Sequence, residues 1–253
     1  MINVIYRPCG AETEPGHYRI GQQEHRPFWF NKETIYKSIL ISLINAKQYI
    51  DTFYIFYDGE FKGEFYNFIL NSFDFLRQNN INFEFREIHQ NSVFGSVKYS
   101  TTFACEQKQS FYIVEDDYLH KSDSILKMVK ALPKYKLLTG YDHVRQYKIL
   151  DEYSLGGYKV DVDFDFESNI HWRTTKSVGH TYMVSKELVD SVGDIFCDDQ
   201  SVRSDWDLWK TLHQKNIPVW AAVPGIVTQV DPWMSPGVDW EFVNNLALNF
   251  SYE

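Results

Sequence analysis

Three consecutive carboxylates, Glu115, Asp116 and Asp117, close the apolar run Phe-Tyr-Ile-Val at residues 111–114. Adjacent acids repel one another, so a folded chain holds them together with a cation or hydrogen-bond donors close by. Hard oxygen ligands of this kind suit Mg²⁺ or Mn²⁺, ions that usually share their shell with substrate phosphates. The same acids could instead cap the helix that follows, because negative side chains are favoured near helix N-termini. A second acidic pair, Asp205 and Asp207, opens another stretch of helical periodicity. Two residues apart, they do not share a helix face, so one can point into a cleft while the other caps or is solvated. Cys9, Cys105 and Cys197 are odd in number and far apart, which suggests neither a disulfide framework nor a zinc site.

The elements that must position these groups follow from periodicity. Residues 2–6 read as a short apolar strand and 7–30 as a long loop rich in Gly, Pro and His; loops of that length are often functional. Asn31 can cap a helix through about residue 46, with Ile35, Ile39, Leu40 and Leu43 on one face. Residues 50–57 form a strand closed by the turn pair Asp58-Gly59, and 61–78 carry apolar residues at helical spacing. A strand over 81–88 and a helix over 95–107 precede the strand that ends in the acids. Ser122 or Asp123 then caps a helix to about Leu132, with Pro133 as its stop, before a strand over 135–139. Strand–helix alternation through residue 140 predicts a single Rossmann-like α/β domain, its mostly parallel central sheet covered on both faces. The acids then sit at the carboxyl end of a central strand, where open α/β sheets bind their ligands.

Beyond residue 140 the alternation breaks. Residues 151–167 hold six acids against one lysine, which predicts an excursion off the sheet. Extended structure over 171–184, a short helix from Ser185, an amphipathic helix from Ser204 or Asp205 to about 214, and a final strand over 217–222 complete the reading. The stretch from Pro224 is dense in Trp, Pro and Asp.

Composition excludes several classes. No window approaches eighteen uncharged apolar residues, which argues against a membrane span. The first residues lack the apolar core and cleavage site of a signal peptide, so a cytoplasmic location is expected. A net charge of −9 disfavours non-specific binding to nucleic acid. Two short basic strings, residues 143–148 and 171–176, leave room for a local basic groove or for plain solvated strand edges.

The order of motifs resembles the GT-A class of nucleotide-sugar-dependent glycosyltransferases, small bacterial and phage members in particular. Glu115-Asp116-Asp117 resembles the class's acidic motif after a central strand. Tyr6-Arg7-Pro8, then His25-Arg26-Pro27-Phe28-Trp29-Phe30-Asn31-Lys32 leading into a helix, resemble its opening. Phe56-Tyr57-Asp58-Gly59 resembles the segment holding an aspartate near the nucleotide, and Ser204-Asp205-Trp206-Asp207 resembles the acidic motif opening a late helix.

That resemblance implies a GT-A-like fold with a nucleotide-sugar-binding half (1–140) and an acceptor-binding half (141–253). It implies transfer from a nucleotide sugar, a UDP-sugar being favoured, to a hydroxyl acceptor. Asp117 becomes the direct ligand of Mn²⁺ or Mg²⁺, with Asp116 and Glu115 on metal-bound water or the ribose. Arg7 and Asp58 would flank the base and ribose. Asp205 would be the base of an inverting transfer. Gln229 stands where many members place a late histidine ligand; a glutamine carbonyl binds Mn²⁺ more weakly, and Asp231 could substitute. His180 falls where the class faces its acceptor, and Trp233 and Trp240 are candidates for an acceptor wall, since indole faces pack on sugar rings.

The acceptor stays open among saccharides, lipid-linked sugars, proteins and the hydroxymethylated bases of phage DNA. Two other readings also stay open. A metal-dependent phosphohydrolase or nucleotidyltransferase would need further acids for a second metal, with Asp142 and Asp194 available. A non-catalytic sugar-nucleotide-binding module would have kept the cleft and lost the base.

Overall fold

The computed structural model describes residues 1–10, 26–107, 109–147, 160–176, 178–197 and 205–251. In chain order the first half runs β1 (Ile2–Arg7), α1 (Lys32–Ala46), β2 (Ile50–Asp58), α2 (Glu64–Asn71), α3 (Phe73–Gln78), β3 (Phe83–Ile88), α4 (Val93–Glu106), β4 (Ser110–Glu115), β5 (Tyr118–His120), α5 (Ser124–Tyr135) and β6 (Leu137–Thr139). The second half runs β7 (Val162–Asp165), β8 (Ile170–Thr175), β9 (Tyr182–Val184), α6 (Lys186–Val192), α7 (Asp205–Gln214), β10 (Val219–Val223), β11 (Val227–Gln229) and α8 (Trp240–Leu248).

One nine-stranded sheet has the order β3-β2-β1-β4-β9-β6-β10-β8-β7, and β11 pairs separately with β5. β3, β2, β1 and β4 are parallel, as are β6 and β10; only β9 and β8 run against the common direction. The sheet is therefore mostly parallel, with helices on both faces. Successive strand residues point to opposite faces. In β1, Ile2, Val4 and Tyr6 join one core with Ile35, Ile39 and Leu43 of α1 and Met128 of α5. Ile5 joins the other core with Phe103 of α4 and Leu208, Trp209 and Leu212 of α7. A strand buried on both faces has no polar alternation, which is why β4 reads as an apolar run through Val114 and β1 does so from Val4 to Tyr6. Asn31 caps α1, its side-chain oxygen accepting from the N–H groups of Glu33 and Thr34 at 2.7 and 3.1 Å; losing such a cap costs about 1 kcal/mol.

Several expectations need correction. The stretch 61–78 is two helices, broken at Ser72, whose hydroxyl bonds the Ile69 carbonyl and lies 2.7 Å from the Tyr36 hydroxyl. Pro133 does not end α5. It falls in the last turn, where one lost donor is tolerated, and the helix closes at Lys136 in a left-handed conformation, φ 65°. Residues 162–165 are not an excursion but an edge strand of the sheet; their acids are held by Lys134 (2.5 Å to Asp163), the Tyr135 hydroxyl (2.9 Å to Asp163) and Ser168 N–H (2.8 Å to Asp165). Residues 151–159 lie outside the described residues. β10 is not final: β11 and α8 follow. No helix among the described residues is long and apolar enough to cross a membrane.

Candidate functional site

In the sheet, β1 lies between β2 and β4. The chain winds outward from β1 to β2 and β3, then crosses back to place β4 on the other side of β1. The winding reverses at β1 and β4, and the crevice beyond their carboxyl ends is where such sheets bind ligands. Arg7 ends β1 and Glu115 ends β4, directly opposite one another in register. The acid run thus lands at the reversal point.

Each acid there meets a base. Arg7 lies 3.7 Å from Glu115, with Nε 3.4 Å from Ser96 Oγ and Nη2 3.5 Å from the Val93 carbonyl. Lys32 Nζ, its side chain only 3% exposed, sits 2.8 Å from Asp116 Oδ2 and 2.9 Å from the Cys9 carbonyl. Arg26 Nη2 donates to Asp117 Oδ2 at 3.1 Å, and its guanidinium lies 4.1 Å from the centre of the Phe30 ring. Neighbouring elements fix this arrangement. Pro8, which has no N–H, offers its carbonyl to Asp58 N–H, and Gly10 N–H bonds the Asp58 carbonyl. The chain after β1 is thereby held along β2, and Cys9 N–H reaches Asp116 Oδ2 at 3.0 Å. β11 pairs with β5 so that Gln229 opposes Tyr118; its Nε2 donates to Asp117 Oδ2 at 3.1 Å, while Val230 N–H bonds the Asp117 carbonyl.

The electrostatics follow from burial and partners. Burial pushes the Asp116 carboxyl up, but Lys32, the Cys9 N–H and Arg26 outweigh it and hold the group below the usual carboxylate range. Burial pushes Asp117 up too, and Asp116 beside it adds to this; Arg26 opposes without cancelling, so Asp117 lies above the usual range. The Cys9 thiol is pushed up to about 11 by burial and by Asp116, which leaves it protonated at neutral pH. The Tyr6 hydroxyl is fully buried, feels both Asp116 and Asp117, and has no hydrogen-bond partner among the described residues; Nη1 of Arg7 and of Arg26 have none either.

The other sequence candidates are placed as follows. Asp58 ends β2 and accepts the N–H groups of Gln90 and Asn91 at 2.9 and 3.2 Å, a latch onto the loop before α4. His180 is 4% exposed and follows Gly179, whose φ of +60° and proximity to Tyr118 (an added Cβ would lie 2.6 Å from Oη) leave room for glycine alone. Thr181, next in sequence, accepts the Glu115 N–H at 3.1 Å. Asp231 accepts the N–H of Trp233 at 2.7 Å, and Trp233 is half-buried, its carbonyl bonded by Tyr141. Trp240 belongs to the core: it is 4% exposed, with Nε1 bonded to the Ser235 carbonyl, so it presents no open face to an acceptor. Asp205 opens α7; its side chain lies outside what the structure describes, as does that of Asp194. Asp142 is held by Arg173 at 2.5 Å and by the Tyr147 hydroxyl, which occupies it as a ligand for a second metal.

A divalent cation needs open oxygen donors. Here Asp116 Oδ2 takes Lys32 and the Cys9 N–H, Asp117 Oδ2 takes Arg26 and the Gln229 amide, and Gln229 therefore presents N–H rather than carbonyl. Among the described residues, no three His, Cys, Asp or Glu side chains converge as a ligand set. The Oδ2 atoms of Asp116 and Asp117 are thus engaged by donors and do not stand open to Mg²⁺ or Mn²⁺.

Sequence reasoning assigned no role to Tyr6, Arg26 or Lys32. One signal was available: Lys32 stands at the first position of a helix, where the dipole disfavours positive charge, so another partner had to hold it there.

No family model and no curated protein matches the chain. Among solved structures, UDP-glucose pyrophosphorylase complexed with UDP-glucose superposes with a TM-score of 0.50 at 10% identity, covering 98% of each chain. An inositol-1-phosphate CTP transferase from T. maritima gives 0.47 at 12% identity, covering 98% of this chain and 97% of the other. At such identity the likeness to the pyrophosphorylase is one of fold.

Proposed function

We propose that the chain is a nucleotide-sugar-dependent transferase that moves the sugar to an acceptor hydroxyl. The observation that carries this is the position of the acid–base cluster at the reversal point of β1 and β4, beside a crevice of the kind that takes nucleotides. In the reaction the bond from the anomeric carbon to the diphosphate breaks and its electron pair goes to the leaving diphosphate. The acceptor oxygen bonds to that carbon, and Asp205, at the start of α7, takes the acceptor's proton. A saccharide is the simplest acceptor of this chemistry.

Nucleotidyl transfer is the second reading, favoured by the fold shared with UDP-glucose pyrophosphorylase. Incubation with UDP-, GDP- and CMP-sugars separates the two. Glycosyl transfer or donor hydrolysis releases the nucleotide without added pyrophosphate. Nucleotidyl transfer instead needs pyrophosphate and returns the nucleoside triphosphate. Asp205→Asn should abolish release while nucleotide binding survives; normal release from that variant would remove Asp205 as the base.

A further inference from the structure

We infer that the chain's own Arg7 and Arg26 hold the diphosphate of the donor, and that it binds without a divalent cation. This rests on the reading above that the crevice takes a nucleotide sugar. Among the described residues, Arg7, Lys32 and Arg26 lie within ion-pair distance of Glu115, Asp116 and Asp117 respectively. These six described charges cancel, so they do not draw a dication in the way three uncompensated carboxylates would. Seating a metal on Oδ2 of Asp116 or Asp117 would displace a largely buried ion pair and leave a cation without its partner, a costly exchange.

Several polar atoms among the described residues lack partners. Around the acid run they are the Tyr6 hydroxyl, fully buried, Nη1 of Arg7, whose side chain is 5% exposed, and Nη1 of Arg26. The two guanidinium nitrogens can only donate, and the hydroxyl can donate or accept. A buried donor left unmade is expensive, so the missing partner is rich in acceptor oxygens. A phosphate meets that need, whereas a metal ion would be repelled by the two guanidinium groups. Arg7 is already poised: at 3.7 Å it is ion-paired with Glu115 but not hydrogen-bonded to it, so Nη1 can take a phosphate oxygen without breaking a hydrogen bond. Planar guanidinium forks suit phosphate, and the Arg26 guanidinium lies over the Phe30 ring, 4.1 Å from its centre.

The test is calorimetric titration of the whole chain with UDP, GDP and CDP, in EDTA and again in Mn²⁺. At least one diphosphate should bind in EDTA with a Kd within about threefold of its value in Mn²⁺. Arg7→Gln and Arg26→Gln should each weaken that metal-free binding by about tenfold, as expected for loss of a charge-assisted fork. Should either variant fail to fold, the wild-type comparison still decides. Binding that appears only with Mn²⁺ overturns the inference and leaves the proposed function standing. Absence of binding under both conditions overturns both.

Discussion

Lys32 holds a positive charge at a helix start, against the dipole, because Asp116 and the Cys9 carbonyl take it up in a nearly closed space. Removing one partner of such a pair leaves the other buried and uncompensated. Lys32→Met should therefore lower stability by roughly 3–5 kcal/mol, read from urea unfolding, and Lys32→Met with Asp116→Asn should recover part of that loss. A single-variant loss near zero would mean that the pair is solvated. His120 makes a second prediction. It is buried in β5, with Nε2 2.9 Å from the Tyr112 hydroxyl and Nδ1 2.8 Å from the Tyr118 carbonyl. Burial pushes its pKa from 6.5 down to about 4, the Tyr118 carbonyl opposing. The unfolded chain then takes the proton first, so this contribution is intact above about pH 6.5 and is lost as pH falls towards 4. Between pH 7 and pH 5 the loss should be roughly 2 kcal/mol, and a His120→Gln variant should lack that part of the slope. At this scale the sequence showed only half the site. The acids were legible because three adjacent carboxylates stand out after an apolar run. Arg26 was not, because its partner Asp117 is 91 residues away and only tertiary folding joins them.

The elements that were legible are those whose own pattern decides their state. α1 has its Asn31 cap and apolar face, and β1, β2 and β4 carry apolar runs (residues 4–6, 53–57 and 111–114) because both sides are buried. Those that were missed depend on distant partners. β5 and β11 are three residues each and exist through pairing with one another. α8 exposes Phe242, Leu246 and Leu248 by more than half, so its apolar residues trace no single face. β7 hid behind its acids, which Lys134, Tyr135 and Ser168 accommodate. The β5–β11 pair also aligns Gln229 with the acid run, and Gly179 packs against Tyr118 beside it. Gly179→Ala would place a Cβ 2.6 Å from the Tyr118 hydroxyl in a left-handed backbone. It should cost about 1–2 kcal/mol in a thermal melt and weaken nucleotide binding as Tyr118 shifts; an unchanged melt would show that the turn relaxes freely.

At the scale of the whole molecule, a net charge of −9 coexists with a basic–acidic cluster at the sheet's reversal point. Local placement of charge, not its sum, sets what a crevice attracts. The same holds for the basic string at 171–176, whose Arg173 is buried against Asp142 and so does not present itself to a phosphate backbone. That weakens the case for modified DNA as acceptor and directs attention to small donors at β1 and β4. The central claim is that a nucleotide sugar binds where those strands end. A crystal structure of the chain grown with UDP-glucose tests it most directly. The account predicts density for the diphosphate within hydrogen-bond distance of Arg7 and Arg26, with the Tyr6 hydroxyl satisfied. Ligand density elsewhere on the molecule, with those three groups unchanged, would contradict it.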